Sequence, residues 1–327
     1  MGEFFLFMTM FFLVIVIIIF LVIVLSIIPV ETMSLRPRIN LSKSYEESLR
    51  RVEEIFRAEI PPIVSHGRTI LLTHGHKTKQ VAVLYHGYTN SPRQYEQLAQ
   101  EFFNRGFNVY VPRVLYHGLS DRLTKDICQL TVKDLKEVCD SSVDIASGLG
   151  EQITVLGLSM GGVMASWNAQ FRRGIYRAII LDPSFGWYFF PGIVQGLVNA
   201  IFLLPNKLFW WDPIQKDKHP FPYSMYYHFS LHGMGHIMRL GLSVIQTARR
   251  EAPFTKRIIM ITNDADLAVD LKTSKDLMKN WKRWGTEVLW ARFPRSLKMD
   301  HDTIDPLQPY AKVDIVYKKI FEYIEKA

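Results

Sequence analysis

Ser159 stands in the run Val155-Leu156-Gly157-Leu158-Ser159-Met160-Gly161-Gly162, where an apolar stretch leads into a serine bracketed by glycines and then into helix-compatible residues. A serine on a tight strand-to-helix turn presents its hydroxyl clear of the sheet edge, and small residues are needed around it because a side chain there would clash. The pattern is that of a nucleophile elbow. Gly162, Ala165 and Ser166 give the following helix a small face for close packing. A serine hydroxyl is a weak nucleophile at neutral pH, so it needs an imidazole to take its proton and a carboxylate to hold that imidazole. Both occur downstream. The apolar residues 257–262 end in Asn263-Asp264-Ala265-Asp266-Leu267-Ala268-Val269, and Met299-Asp300-His301-Asp302-Thr303 follows, so the chain order is Ser, Asp, His. Upstream, the apolar residues 81–85 deliver His86-Gly87-Tyr88 into a loop. The backbone N–H groups of Tyr88 and Met160 are expected to converge on the oxygen that gains charge in a tetrahedral intermediate.

These groups need strands to carry them. Residues 69–73, 80–85, 107–111, 152–156, 176–181, 257–262 and 287–292 read as strands, separated by helix-compatible stretches. Such alternation predicts an α/β fold with a mostly parallel sheet covered on both faces. Ser91-Pro92-Arg93-Gln94 reads as a helix start, with Ser91 as cap, Pro92 at the first helical position and Gln94 able to close a capping box. Thr131-Val132-Lys133-Asp134 opens the helix before the elbow strand, and residues 314–324 read as a closing amphipathic helix. Between Pro183 and Pro253 the alternation stops, and a segment this long is more than a loop. It carries Trp187, Tyr188, Phe189, Phe190, Phe202, Phe209, Trp210, Trp211, Phe221 and Tyr223. These aromatics are candidates to line an acyl pocket, to dip into a bilayer interface or to bury the segment against the body of the protein.

The chain resembles the α/β-hydrolase superfamily, and within it the monoacylglycerol lipase and carboxylesterase branch. The resemblance rests on His86-Gly87, on the Gly-Leu-Ser-Met-Gly-Gly elbow, on Asp266 to Val269 as a strand-end D-x-x-V, and on His301 followed by Asp302. It implies an α/β-hydrolase fold with an inserted cap at about residues 184–253. It also implies Ser159 as nucleophile, Asp266 as acid and His301 as base, with Asp264 a rival for the acid. Asn263 stands where the family often has a glycine, and asparagine tolerates the left-handed conformation expected there. The chemistry implied is two-step acyl transfer on a carboxylic ester, lipid-like or long-acyl by the apolar cap, without a cofactor or a metal. Thioester or amide hydrolysis uses the same machinery, and a non-catalytic binding protein of this fold is the reading from a different class.

Residues 4–28 are free of charge and interrupted only by Thr9 and Ser26. A spanning helix needs about 20 apolar residues. Glu3 precedes the run and no small-x-small cleavage site follows, so it reads as an uncleaved transmembrane anchor rather than a signal peptide. Arg36, Arg38, Lys43, Arg50 and Arg51 lie after it, which by the positive-inside tendency predicts a single-pass membrane protein with a cytoplasmic catalytic domain. The expected organisation is an anchor over 1–30, a charged linker over 31–65 and a hydrolase domain over 66–327. The formal net charge of +8 is modest for 327 residues and fits a negatively charged membrane surface; without a clustered basic helix or motif it gives no ground for nucleic acid as a partner. Cys128 and Cys139 are expected to be reduced thiols. His74 with His76, and His228, His232 and His236 spaced by four, offer metal-like spacing, but Gly233 and Gly235 interrupt the second set and neither has a third ligand class nearby.

Overall fold

The computed structural model describes residues 2–325, apart from the side chains of residues 2–5, 14, 15, 18 and 19. In chain order the elements are α1 (Gly2–Ile27), α2 (Tyr45–Ala58), β1 (Ile70–Leu72), β2 (Thr78–Tyr85), α3 (Glu96–Asn104), β3 (Asn108–Val111), α4 (Val132–Leu149), β4 (Gly150–Leu158), α5 (Met160–Phe171) and β5 (Ile175–Leu181). They continue with α6 (Val194–Leu203), β6 (Leu208–Trp210), β7 (His228–Ser230), α7 (Leu231–Ala248), β8 (Arg257–Asn263), α8 (Leu271–Arg283), β9 (Glu287–Phe293) and α9 (Val313–Glu325).

A seven-stranded sheet runs in the order β1-β3-β2-β4-β5-β8-β9. β1 is antiparallel to β3, and every other neighbour pair is parallel. Each strand foreseen from the sequence is present. The period of two along the central strands explains the layering. Val83, Tyr85 and Val155 face a core shared with α4, α5, α7 and α8, whereas Ala82, Leu84 and Leu156 face one shared with α3 and α9. Burial on both faces is why these strands read as continuous apolar runs. α4 starts as expected, with a capping box in which Thr131 and Asp134 satisfy each other's backbone N–H.

The other capping box does not form. Residues Pro92–Tyr95 make a 3-10 turn whose Ser91 gives no side-chain cap, and α3 begins only at Glu96. Gln94 is turned elsewhere, as described below.

From Pro183 to Lys256 the chain leaves the sheet for α6, a hairpin of β6 and β7, and α7. α7 lies against α5: a Cβ added to Gly241 would come 2.7 Å from the Phe185 ring and 3.5 Å from Val163. The last part of the insertion therefore belongs to the helical layer over the sheet.

Among the described residues no helix is long and apolar enough to cross a membrane. This overturns the expectation of a single-pass membrane protein with a transmembrane anchor over 1–30 and a cytoplasmic catalytic domain, an expectation that rested partly on side chains outside the described residues. The end of α1 is instead fastened to the protein. Asn199 Nδ2 donates to the carbonyls of Leu25 at 2.8 Å and Ile28 at 2.9 Å, Gln195 Nε2 donates to that of Ser26 at 2.7 Å, and Leu25 is buried. The segment after it is also tied down. Arg38 N–H donates to Asp140 and Asn40 N–H to Asp144, each at 3.0 Å, and the buried Arg172 guanidinium bonds both carboxylates.

Candidate active site

The C-terminal ends of β2, β4 and β8, together with the loop after β9, meet at one edge of the sheet. β4 ends at Leu158 and α5 starts at Met160, which leaves Ser159 alone to turn the chain, at φ 59° and ψ −117°. A non-glycine residue in that region is strained, and such strain persists only where the surroundings over-determine it. Here the surroundings do so. Ser159 N–H donates to Leu181 O, and Ser159 O accepts from Val163 and Ser184, all at 3.0–3.1 Å. Gly161 lies so close beneath the turn that an added Cβ would sit 1.8 Å from Tyr85 O, and one on Gly157 would sit 2.1 Å from Gly161 O.

Two backbone N–H groups were expected near this serine, those of Met160 and Tyr88. Met160 is the first residue of α5, so its N–H has no acceptor within the helix. Tyr88 N–H belongs to the peptide whose carbonyl, Gly87 O, accepts from Asn90 N–H at 3.2 Å and faces His86 Nδ1 at 2.9 Å. Because a trans peptide points its N–H opposite its carbonyl, pinning Gly87 O fixes the direction of the Tyr88 N–H. The Tyr88 ring runs the other way, under the insertion, where its hydroxyl meets Ser230 N and O at 3.2 Å. His86 is structural. Its Nε2 accepts Val114 N–H at 3.1 Å, which leaves the proton on Nδ1, and burial holds its pKa down to about 4.

His301 Nδ1 lies 2.5 Å from Asp266 Oδ2, with the carboxylate 3% and the imidazole 28% exposed. Asp266 Oδ1 accepts Ala268 N–H at 2.7 Å, which fixes the carboxylate plane. Burial opposes a charge on His301, but the nearby carboxylates of Asp266, Asp182 and Asp302 outweigh it and raise its pKa to about 9. Asp264 faces away. It takes Arg292 as a fork at 3.1 and 2.7 Å, leaving Asp266 as the carboxylate on the imidazole. Asn263 is not in the left-handed region expected of it; its Nδ2 donates to the carbonyls of Met299 at 2.9 Å and Asp300 at 3.0 Å, so it stitches the loop bearing Asp266 to the loop bearing His301. Asp182, at the end of β5, was not foreseen. It is buried and accepts Asn263 N–H at 2.9 Å, and burial with the Asp266 charge pushes its pKa well above the usual carboxylate range.

Ser159 and His301 both open onto one cavity of about 810 Å³, with Tyr88 in its lining. Its walls are mostly apolar, with Asp212, Gln215, His219, Asp300 and Gln308 among the polar groups that reach it. Trp187, Trp211 and Phe221 reach it among the aromatics singled out from the sequence, together with Phe229, Met225 and Met234, which were not.

The profile of the family described as serine aminopeptidase, S33, matches residues 76–212. Solved structures match far more of the chain, and three of them do so at a TM-score of 0.59. The metagenome-derived lipolytic enzymes LipS and LipT are represented at 16% identity, over 81% of this chain and 100% of that one. The monoacylglycerol lipase of Paleococcus ferrophilus matches at 18% identity, over 78% and 97%. A soluble variant of the Saccharomyces cerevisiae monoglyceride lipase, bound to a substrate analogue, matches at 13%, over 79% and 91%. The chain has the α/β-hydrolase fold. No curated protein sequence matches it.

Several sequence candidates are not brought to this site. Phe189 and Phe209 are exposed, Phe202 packs on His232 and His236, and Tyr223 lies against His66 and Arg93. His228 ends up in β7 while His232 and His236 are in α7, so the three do not share a helical face. His228 Nε2 meets Leu123 O at 3.0 Å and His232 Nε2 meets Leu204 O at 2.8 Å. His74 stacks on Phe103 at 4.1 Å, and His76 Nδ1 turns back to His74 O at 3.0 Å. Cys128 and Cys139 are free thiols.

Proposed function

We propose that this protein, with its α/β-hydrolase fold, is a serine hydrolase of carboxylic esters with an apolar acyl group. The observation that carries the reading is the His301–Asp266 pair opening onto the same cavity as a serine held at φ 59°. Neutral His301 takes the proton of Ser159 Oγ as that oxygen attacks the ester carbonyl. Tyr88 and Met160 N–H groups hold the oxyanion, and the imidazolium, stabilised by Asp266, passes its proton to the departing alcohol. Water then repeats the sequence on the acyl-enzyme. Residues 184–253 act as a cap whose aromatic wall receives the acyl chain. The lipase and esterase activities in the names of the structural neighbours agree with this reading. The apolar walls favour chain length, since each buried methylene contributes about 0.8 kcal/mol until the pocket ends.

Hydrolysis of p-nitrophenyl esters from acetate to palmitate tests it. Ser159→Ala and His301→Ala are expected to lose about 10⁴-fold or more in kcat. Asp266→Asn is expected to fall by about 10³-fold or more and Asp264→Asn by less than about threefold. A folded wild type inert on every ester but active on aminoacyl amides would move the reading to peptidase chemistry; inertness on both would remove the hydrolase reading.

A further inference from the structure

Gln94, read from the sequence as half of a capping box, makes no cap and is only 2% exposed. Its side chain sits at the cavity and bridges two loops. Gly87 N–H donates to Gln94 Oε1 at 2.7 Å, and Gln94 Nε2 donates to Asp302 Oδ2 at 2.7 Å. The orientation of this amide is forced by chemistry, since a backbone N–H can only donate and a carboxylate can only accept. Gly87 precedes Tyr88, and Asp302 follows His301. The strands that deliver the two loops, β2 and β9, are separated in the sheet by β4, β5 and β8, so no strand ladder sets one loop against the other.

Both ends of the bridge bear on groups the mechanism uses. At one end, Gln94 fixes the His86–Gly87 peptide while Asn90 and His86 fix the next one, so the two together determine where Tyr88 N–H points. At the other end, Asp302 takes its hydrogen bonds from amides alone, from Gln94 at 2.7 Å, Gln308 Nε2 at 3.2 Å and Asn90 Nδ2 at 3.4 Å, together with the N–H groups of Ile304 and Asp305. With no cation among these partners, its negative charge stays available to the neighbouring imidazole.

We propose that Gln94 is a positioning residue that locks the oxyanion loop and the His301 loop into one register, setting Tyr88 N–H over Ser159 and holding the Asp302 carboxylate beside His301. This rests on the reading of the site as a serine esterase. A buried bridge with a charged acceptor is a directional constraint, and small errors in the placement of reacting groups are costly.

The test measures kcat, KM and the pH dependence of ester hydrolysis for Gln94→Ala, Gln94→Glu, Asp302→Asn and the double variant Gln94→Glu with Asp302→Asn, with thermal unfolding alongside. Gln94→Ala is expected to lower kcat by about tenfold or more with KM within about threefold, because the interaction is one of alignment rather than of substrate binding. Gln94→Glu keeps the acceptor for Gly87 but sets a carboxylate against Asp302, so kcat falls and the pH midpoint rises. In the double variant the carboxylate introduced at position 94 accepts both from Gly87 N–H and from the amide introduced at position 302. Both bonds are thereby restored, the one between positions 94 and 302 with donor and acceptor exchanged, and kcat is expected to recover above that of Gln94→Glu. Where Gln94→Ala does not fold, the comparison of Gln94→Glu with the double variant decides. Wild-type kcat and pH midpoint in folded Gln94→Ala, or a double variant no better than Gln94→Glu, would overturn the proposal. Ser159→Ala separates the two levels: activity that survives it overturns the esterase reading itself, whereas activity that dies with it while Gln94 variants stay unchanged removes only the bridge.

Discussion

At the elbow, an added methyl group on Gly161 would lie 1.8 Å from a backbone carbonyl, while in the insertion the side chain of Ile214 is 90% exposed and Phe189 77%. Residues of both regions line one cavity. The elbow is determined by backbone approaches and by peptide hydrogen bonds to β5, none of which depends on a side chain beyond hydrogen. The insertion touches the loop of residues 86–90 through Tyr226 N–H to Thr89 O, Trp211 Nε1 to Thr89 Oγ1 and Ser224 Oγ to Asn90 Oδ1, at 2.8–3.0 Å, and through the Tyr88 hydroxyl at Ser230, and it presents mainly rings and thioethers to the cavity, with Asp212, Gln215 and His219 beside them. The difference assigns separate tasks. On the proposed function, backbone geometry sets the chemistry and replaceable side chains set what enters.

Substitution at the elbow therefore has the larger effect. Gly161→Ala has no room without moving β2, and is expected to cost about 4 kcal/mol or more or to prevent folding, read from thermal or urea unfolding. Retention of wild-type stability would mean that the close approach to Tyr85 is not tight. Phe229→Ala removes a ring that packs on Trp211 at 4.3 Å in the cavity wall. It is expected to lower kcat/KM for the longest favoured ester by about tenfold while changing acetate hydrolysis little. Equal losses on all chain lengths would place Phe229 in support of the machinery rather than of specificity, and would erase the contrast between the two regions.

The same contrast explains what could be read from the sequence. The tight turn at Ser159 and the strands were legible because glycine placement and apolar runs encode backbone geometry directly. The helix α7 was not, because Gly233, Gly235 and Gly241 lower its intrinsic propensity; each faces a neighbour, Tyr88, Ile201 or Phe185, that would meet a Cβ within 2.7 Å. Tertiary packing overrides propensity there. Gln94 was given a local role as a cap and instead bonds a distant loop, while Asn263 makes its turn, with Asp266 N–H on its carbonyl at 3.1 Å, and also bonds groups far along the chain, for which no spacing rule exists. Phe229, Met225 and Met234 differ in no local way from neighbouring apolar residues that miss the cavity. The apolar run at the start gave its helix but not its setting, since the amides of Gln195 and Asn199 that hold its end come from the insertion.

The central claim is that His301, poised by Asp266, activates Ser159. The rate of covalent labelling by a fluorophosphonate, followed from pH 6 to 10 with the adduct located by mass spectrometry, tests it most directly. The imidazole must be neutral to accept the proton, and its pKa is raised to about 9, so labelling should rise as pH increases through about 9. The account predicts an adduct on Ser159, that rise in the wild type, and slow labelling without it in His301→Ala. An adduct on another residue, or a wild-type rate matched by His301→Ala at every pH, would contradict it.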